Sequence, residues 1–270
     1  MTNEPAPLAA SPAGKSEARL AATLDELRAA QRLRFEVFNL NEGLGLDASR
    51  AAGLDEDDFD PYCEHLIVVD RATGRVDGTY RMLPWRRVPS CGYYAETEFD
   101  IDNVKRSFER ILELGRSCVR PSARDGRTID LLFRGLGAYV GRIGAEALVG
   151  CVSVPGRDLA RLRSIWSQLA GAGLIAGREF AVTPRRGFEV PGFDAPPPCG
   201  AAPAALPPLF AAYLRLGARV CGPPAYDASF GTTDFFIVLD IARLADGSAR
   251  RYLAASADGR AVARAEAPAA

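Results

Sequence analysis

A carboxylate and a guanidinium interrupt the otherwise apolar stretch ILELGRSCVRP at residues 111–121. The stretch has the composition of a buried strand, yet it contains Glu113 and Arg116. Because side chains of a strand alternate between two faces, residues three apart should point to opposite sides. One of the two charges should then lie in a core. Such a pair can exchange protons with a ligand and bind an anion, or it can be a plain structural ion pair.

Few residues are available for nucleophilic catalysis. His65 is the single histidine, so a Ser-His-Asp or Cys-His triad would have to include it. It opens the apolar segment EHLIVVD, a position typical of a packed, hydrogen-bonded side chain. The six cysteines form no CxxC pair, and one histidine gives no zinc-finger spacing. We therefore expect neither a metal site nor a structural disulfide.

The composition is that of an ordinary globular protein. The chain has 270 residues, of which 48% are hydrophobic and 25% charged. Its net charge of −1 argues against nucleic acid as the main partner. No apolar run approaches the roughly 18 residues of a membrane-spanning helix, and the N-terminus lacks the pattern of a secretory signal. We expect a cytoplasmic protein.

The charge is unevenly distributed along the chain. Residues 42–64 contain eight acidic side chains against Arg50 alone, whereas residues 120–163 contain eight arginines against four acidic side chains. Both stretches can be solvated surface. The alternative is an acidic site for a cationic substrate and a basic site for an anionic one.

Apolar periodicity predicts helices alternating with strands. The predicted helices are 20–38 (with Thr23 as an internal start), one near 101–107, 127–143, 158–170 and 209–220. The predicted strands are 64–70 and 75–83 (a hairpin), 93–99, 110–119, 147–154 and 232–241. This order predicts an α/β fold with a mixed sheet flanked by helices.

Proline-rich and aperiodic stretches suggest the domain limits. We predict a disordered tail (1–19), a core domain (20–186), a proline-rich connection (187–208), a C-terminal extension packed on the core (209–245) and a loosely ordered tail (246–270).

The strand, the loop RPSARDG, the helix and the next strand together resemble the part of GNAT-fold acyltransferases that holds a phosphopantetheine arm. A series of side chains further resembles the acyl-homoserine-lactone synthases. The series consists of Arg34 with Val37 and Phe38, Asp57 with Phe59 and Asp60, Arg81, and Glu113 with Arg116.

A more specific resemblance is to the L-ornithine Nα-acyltransferases of ornithine-lipid synthesis. The matching stretches lie between about 35 and 240 and are CEHLIVVD, GTYRML, YYAETEFD, ELGRSCV, YLRLGARV and TTDFFIVL. Two departures occur. Ala211 and Ala212 stand where members often have Lys-Gly, and Gly231 stands where members often have asparagine.

This resemblance implies transfer of a 3-hydroxyacyl chain from acyl carrier protein to the α-amine of L-ornithine, giving lyso-ornithine lipid. It implies no bound cofactor, because the donor's 4'-phosphopantetheine belongs to the carrier. Two alternatives are acylation of another amino acid, as in acyl-homoserine-lactone synthesis, and a non-enzymatic binding module. Because the product is lipid-like, peripheral contact with the inner membrane surface, through residues 158–170, is a further hypothesis.

The resemblance also implies roles for individual side chains. Glu113 is the leading candidate for general base, and Glu98 is the second. A bulge at Gly115 would let Glu113 and Arg116 face one cleft, because a bulge adds one residue to a strand.

On the acceptor side, the predicted substrate-binding residues are Arg34, Phe38, Asp57, Asp60 and Arg81. The aspartates, Asp58 included, would offer charge to the cationic end of ornithine, and Arg34 or Arg81 would hold its carboxylate.

On the donor side, Arg124, Gly126 and Arg127 lie where a loop meets a helix N-terminus, a place that favours a phosphate. Further arginines of residues 120–163 are candidates for contact with the acidic carrier.

Overall fold

The computed structural model describes residues 6–194, 204–244 and Tyr252, and the structural statements below refer to them. The strands are β1 Ala9–Ala10, β2 Ser16–Leu20, β3 Glu64–Asp70, β4 Val76–Pro84, β5 Phe99–Asp100, β6 Ile111–Val119, β7 Ala147–Pro155, β8 Thr183–Pro184, β9 Arg219–Val220, β10 Ala225–Asp227 and β11 Thr232–Asp240. The α-helices are α1 Leu24–Phe35, α2 Ser49–Ala52, α3 Asp102–Ser107, α4 Arg127–Ile143, α5 Leu159–Gly171 and α6 Pro208–Arg215.

Shorter helical segments connect these elements. A π-helix, Glu36–Asn41, continues α1 directly. The 3₁₀ turns are Asp60–Tyr62, Trp85–Arg87, Tyr94–Thr97, Pro121–Ala123, Arg178–Phe180 and Ile241–Arg243.

The described residues divide into two compact units. The first unit contains 6–87, 114–145 and Tyr252, and the second contains 88–113, 146–194 and 204–244. Strand β6 passes from the second unit into the first between Glu113 and Leu114.

In the first unit, β1, β2, β3, β4 and the last part of β6 follow one another in that order across a sheet. Helix α1 begins at Thr23, whose side chain accepts the N–H of Glu26, as the sequence predicted. Its apolar side packs on one face of the sheet, where Leu33 and Val37 meet Ile67. Helix α4 lies over residues of the opposite face, with Gly135 close to Ala18 and Leu66.

The N-terminal segment is more ordered than predicted. Residues 9–19, assigned to a disordered tail, contain β1 and most of β2, and β2 pairs antiparallel with β3, with Ala18 opposite Val68. Ala18 is completely buried beneath Gly135. Its small side chain permits close helix packing, so an alanine-rich composition that resembles disorder here serves a tight contact.

In the second unit, β6 pairs parallel with β7 from Ile111 to Glu113. Strand β11 pairs antiparallel with β7 along its whole length, and β10 and β9 pair antiparallel with β11. Helices α5 and α6 cover one face of this sheet, where Ile165 and Phe210 pack against Phe235. A mixed sheet flanked by helices is therefore confirmed.

Most predicted elements are confirmed to within a residue or two, and three are not. Segment 93–99 is a 3₁₀ turn, not a strand, up to Thr97. The helix expected at 20–38 starts after β2 and turns into the π-helix. The helix expected at 209–220 ends at Arg215, because Gly217 (φ +106°) reverses the chain into β9.

Parts of the predicted domains lie outside the described residues. They are residues 1–5 of the N-terminal tail, 195–203 of the proline-rich connection, Ala245 of the C-terminal extension and all but Tyr252 of the tail 246–270. No helix within residues 6–194 and 204–244 has the length and apolar character needed to cross a membrane.

Candidate functional site

Arg34 lies at the centre of a buried charged cluster in the first unit. Its Nε donates to Asp55 Oδ1 at 2.8 Å, and Nη1 and Nη2 donate to the two carboxylate oxygens of Asp60 at 3.1 and 2.9 Å. Nη2 also donates to the Asp55 carbonyl oxygen. The side chain is fully buried. With four hydrogen bonds to protein, this guanidinium is suited to holding the cluster together rather than to receiving a substrate.

Helix α1 and the segment before β3 supply this arrangement. Gln31 lies one helical turn before Arg34 and donates to Asp60 Oδ2 at 2.8 Å. The backbone N–H of Asp55 donates to the Gln31 carbonyl oxygen, and Asp57 accepts the N–H of Phe59 in a local turn. The acidic segment 55–60 is therefore folded back on α1.

Two further arginines complete the cluster. Arg81, on β4, directs Nη1 to both oxygens of Asp57 at 2.6 Å and to Asp60 Oδ1 at 3.1 Å. Arg116, on β6, donates to Asp55 Oδ1 at 3.3 Å and to Asp57 Oδ2 at 3.2 Å. The three arginines face three aspartates, so the formal charges balance within the cluster.

The titration of the aspartates reflects these contacts. Burial by itself would raise the pKa of Asp60, but the guanidinium groups of Arg34 and Arg81 outweigh it and hold this pKa well below its usual range. The pKa of Asp57 is also lowered, because Arg81 and Arg116 outweigh burial. Both carboxylates are therefore ionised at neutral pH.

Solvent exposure distinguishes the members of the cluster. The side chains of Asp57 and Arg116 are 15% and 9% exposed, whereas those of Arg34, Asp55, Asp60 and Arg81 are 4% exposed or less. Asp57 and Arg116 are thus the members that a small molecule reaches most easily.

The backbone irregularity predicted at Gly115 occurs one residue later. Arg116 has φ +51°, the one positive φ at a non-glycine residue in the described chain, and Gly115 is not among the glycines of positive φ. A left-handed conformation at an ordinary residue costs about 1–2 kcal/mol. The ion pairs of Arg116 with Asp55 and Asp57 offset that strain. Gly115 instead leaves room beside Arg81, whose guanidinium would lie 3.9 Å from an added Cβ.

His65 is a packed side chain, as predicted. It is 6% exposed, and its Nε2 lies 3.2 Å from the Asp60 carbonyl oxygen. Burial lowers its pKa more than the Asp60 carboxylate raises it, so the imidazole is neutral at pH 7.

Phe38 lies in the π-helix and is half-buried against the apolar cluster that contains Leu33 and Ile67. π-Helical turns occur frequently at functional sites. Phe38 is therefore placed at the edge of a core.

The predicted donor segment has the expected helix start. Gly126 takes φ +86° and precedes α4, and the side chain of Arg127 is 86% exposed. Asp125 accepts the N–H of Arg127 at 3.0 Å, so a carboxylate already occupies part of this N-terminus. Arg124 donates Nε to the Val119 carbonyl oxygen and lies 3.6 Å from Glu42.

In the second unit, Glu113 is buried and accepts two backbone N–H groups. Tyr94 N lies 2.7 Å from Oε2, and Ala95 N lies 2.7 Å from Oε1. These are the first N–H groups of the 3₁₀ turn, which lack partners within the turn. Burial raises the pKa of Tyr93, and the carboxylates of Glu113 and Glu96 raise it further.

Glu98 follows the same turn and is 1% exposed. Its carboxylate groups with Cys151 Sγ on β7 and the Asp234 carboxylate on β11, and the ligand atoms all lie within 4.8 Å of one another. Burial raises the pKa of the Cys151 thiol well above its ordinary value, and the carboxylates of Glu98 and Asp234 raise it further.

The sequence did not indicate several of these residues. Asp55 and Gln31 are missing from the predicted site, although each lies near a predicted member, Asp55 two residues before Asp57 and Gln31 three before Arg34. Asp234 and Cys151 gave no local signal, because only the pairing of β7 with β11 brings them together.

A family of acetyltransferase (GNAT) domains matches residues 33–134. Curated relatives match most of the chain. The L-ornithine N(alpha)-acyltransferase of Rhodobacter capsulatus is 35% identical over 90% of this chain and 96% of its own length. That of Brucella abortus is 34% identical over 86% of each chain.

The fold is shared with a solved structure of TM-score above 0.5. FeeM, an N-acyl amino acid synthase from uncultured soil microbes, superposes with a TM-score of 0.52 at 12% identity, covering 85% of this chain and 93% of its own. The predicted GNAT-like fold is thereby confirmed.

Proposed function

The chain belongs to the L-ornithine N(alpha)-acyltransferase family, and from this premise we propose that it acylates the α-amine of L-ornithine with a 3-hydroxyacyl chain from acyl carrier protein. The product is lyso-ornithine lipid. The observation that carries the proposal is identity of 34–35% over 86% or more of the chain and of the two relatives described above.

The reaction forms an amide bond and breaks a thioester. The acceptor ammonium first loses a proton, because only the neutral amine attacks the carbonyl carbon. The tetrahedral intermediate then expels the thiolate of phosphopantetheine, and the second amine proton ends on that sulfur. The products are the amide and the free thiol of the carrier. This chemistry needs a positioned base and stabilisation of an oxyanion.

Glu113 is the proposed general base. Its two oxygens each accept a backbone N–H, and an ionised carboxylate can take up a proton directly or through water. The two N–H groups fix the carboxylate, and fixed geometry is what a base requires. Glu98, the second candidate for base, lies in a different setting, beside Cys151 and Asp234.

We propose that Arg81 and Arg116 bind the α-carboxylate of the acceptor. Arg116 is the more exposed guanidinium of the cluster, and Asp57 holds both arginines. Arg34 and Asp60 would position them, because both are almost completely inaccessible. Phe38, at the edge of an apolar cluster, is suited to the acyl chain.

Asp57 and Asp60 fit the cationic end of ornithine less well than the sequence suggested. Their charge is balanced by Arg34, Arg81 and Arg116. A second cation would have to compete with guanidinium groups that already make close ion pairs.

For the donor, the proposal places the phosphodiester of the carrier near Arg124, Gly126 and Arg127. Support comes from the exposure of Arg127 and from the N-terminus of the long helix α4, which favours an anion. A phosphate there would share the N–H of Arg127 with Asp125 or displace it.

Peripheral membrane contact through α5 has less support. Leu162, Ile165 and Leu169, the apolar side of this helix, are each about 1% exposed or less in the core of the second unit. The helix therefore keeps little apolar surface for a bilayer.

A product assay by mass spectrometry tests the proposed function. Purified protein receives 3-hydroxyacyl carrier protein together with ornithine, lysine, glutamine, glycine or S-adenosylmethionine. An N-acyl product with ornithine is expected. A product with another amine and none with ornithine would assign the enzyme a different acceptor. If protein that still binds the carrier forms no product with any acceptor, the proposed acyltransferase function is overturned.

A further inference from the structure

The sheet of the second unit has one apolar and one polar face. Alternate residues of β11 point to opposite sides, and Phe235 and Ile237 pack beneath α5 and α6. Thr232 and Asp234 therefore project from the other side, together with Phe236. Cys151 is directly opposite Phe236 and so shares that face.

Carboxylates are concentrated on this polar face. Asp227 is directly opposite Thr232 on β10, and Glu98 reaches the face from the turn that precedes β5. Glu98, Asp227 and Asp234 are 1%, 6% and 5% exposed. Like charges in a buried setting repel one another, and a cation between them offsets this repulsion.

A buried hydroxyl points independently to a ligand. Thr232 is 1% exposed, and its Oγ1 has no hydrogen-bond partner among the described residues. Leaving such a group unpaired costs about 1–3 kcal/mol. Its side chain projects from the same face as Asp227 and Asp234, which places the hydroxyl on the side of the sheet where such a ligand would lie.

The spacing of the group admits an ammonium ion, because 4.8 Å is the upper limit of the separations between its ligand atoms. An ammonium hydrogen-bonds acceptors at about 2.8 Å and at tetrahedral angles, which places two acceptors about 4.6 Å apart. The ligand atoms of Glu98, Cys151 and Asp234 lie within 4.8 Å of one another. Burial raises the pKa of the Cys151 thiol and these carboxylates raise it further, so without a metal ion the sulfur is neutral.

We propose that Glu98 and Asp234 bind the distal ammonium of the acceptor amino acid, with the Thr232 hydroxyl as a further acceptor. These residues thereby make a cationic side chain the preferred one. The inference rests on the proposed function, since it names the specificity determinant of that reaction. It gives Glu98 a recognition role instead of a role as base.

A competition assay tests the inference. Ornithine and 2-aminopentanoic acid, which has the same carbon chain without the distal amine, are offered together at equal concentration with 3-hydroxyacyl carrier protein. The unsubstituted protein is expected to form the ornithine product with at least about 100-fold preference. Asp234→Asn and Glu98→Gln should each lower that preference by about 10-fold or more, and Thr232→Val by a smaller factor. Glu109→Gln, an exposed carboxylate of the same unit, is the matched control and should leave the preference unchanged.

Each outcome of this assay decides between the two proposals. Failure of the unsubstituted protein to acylate ornithine overturns the proposed function. Ornithine acylation with an unchanged preference in folded Asp234→Asn and Glu98→Gln overturns the ammonium site alone. Equal loss of both products from folded variants also overturns it, because a role in chemistry or folding does not discriminate between the acceptors.

Chelation tests the alternative of a metal ion. Activity of the full chain should be unchanged after treatment with EDTA. Loss of activity that a divalent cation restores would overturn the assignment of the group to an ammonium. Where Asp234→Asn fails to melt cooperatively, Thr232→Val, which removes no charge, provides the decisive variant.

Discussion

Arg34 and Asp60 form a buried bidentate ion pair. Nη1 lies 3.1 Å from Oδ1 and Nη2 lies 2.9 Å from Oδ2, across a separation of 26 residues in sequence. The parallel geometry matches the fork of a guanidinium to the two oxygens of a carboxylate. Removing one partner would leave the other charged and buried, so the local fold depends on both.

We expect Arg34→Ala to lower the free energy of unfolding by about 3–5 kcal/mol, because breaking a buried pair strands its partner. Arg34→Lys should lower it less, since the charge remains while the fork is lost. Urea unfolding measures both. Arg50→Ala, at an exposed pair with Asp47, is the control and should change stability by no more than about 0.5 kcal/mol. A change below about 1 kcal/mol in Arg34→Ala would contradict the structural role.

The lowered pKa of Asp60 predicts how stability depends on pH. Because the pKa in the folded state lies below the ordinary value near 3.8, the unfolded state binds more protons as pH falls through this range. The stabilisation by Asp60 is complete above about pH 5 and declines below about pH 4. The stability difference between the unsubstituted protein and Asp60→Asn should therefore shrink as the pH falls from 5 to 3. Chemical unfolding at each pH measures this difference, and a constant difference would argue against an ionised Asp60.

Glu113→Gln should reduce kcat by about 10²–10⁴-fold, the usual contribution of a general base. Binding of the carrier should change little. The melting temperature should fall, because the glutamine NH2 cannot accept the backbone N–H that one carboxylate oxygen accepts. Single-turnover rates and carrier titrations separate these effects. Normal turnover in a folded Glu113→Gln protein would exclude Glu113 as the base.

The left-handed conformation of Arg116 predicts a difference between two variants. Arg116→Ala and Arg116→Gly both lose the ion pairs with Asp55 and Asp57. Glycine accepts a positive φ without steric cost, so Arg116→Gly should be the more stable of the two by about 1 kcal/mol. Thermal unfolding of the pair measures the difference. Equal stability, or greater stability of the alanine variant, would indicate that the backbone is not strained at this position.

Close packing of α4 on the sheet makes Gly135 intolerant of a side chain. A Cβ there would lie 3.0 Å from Ala18 Cβ and 3.1 Å from Leu66 Cδ1. We expect Gly135→Ala to destabilise the protein by about 1–2 kcal/mol, although alanine favours helices. Gly171, a helical glycine with no atom within 4 Å of an added Cβ, is the matched control and should tolerate alanine. Adding Ala18→Gly to Gly135→Ala should restore part of the loss, and no restoration would place the strain elsewhere.

The sequence by itself determined those features that depend on neighbouring residues. Helix α4 and strand β3 occupy the predicted residues, because an apolar period of 3.6 or a short apolar run is a local property. The resemblance to a known family, and not a local pattern, placed the cluster members Arg34, Asp57, Asp60, Arg81 and Arg116 in one series, and it left out Asp55.

Only the tertiary structure decided which groups meet. Residues 94–97 form a 3₁₀ turn instead of the predicted strand. The first two N–H groups of this turn, those of Tyr94 and Ala95, donate to Glu113, which lies 19 and 18 residues away in sequence. Asp55 joins the cluster through Arg34, which is 21 residues away, and through Arg116, which is 61 residues away. Cys151 and Asp234 come together through the register of β7 and β11. Contacts of this kind depend on the packing of distant segments, which no local pattern of residues encodes.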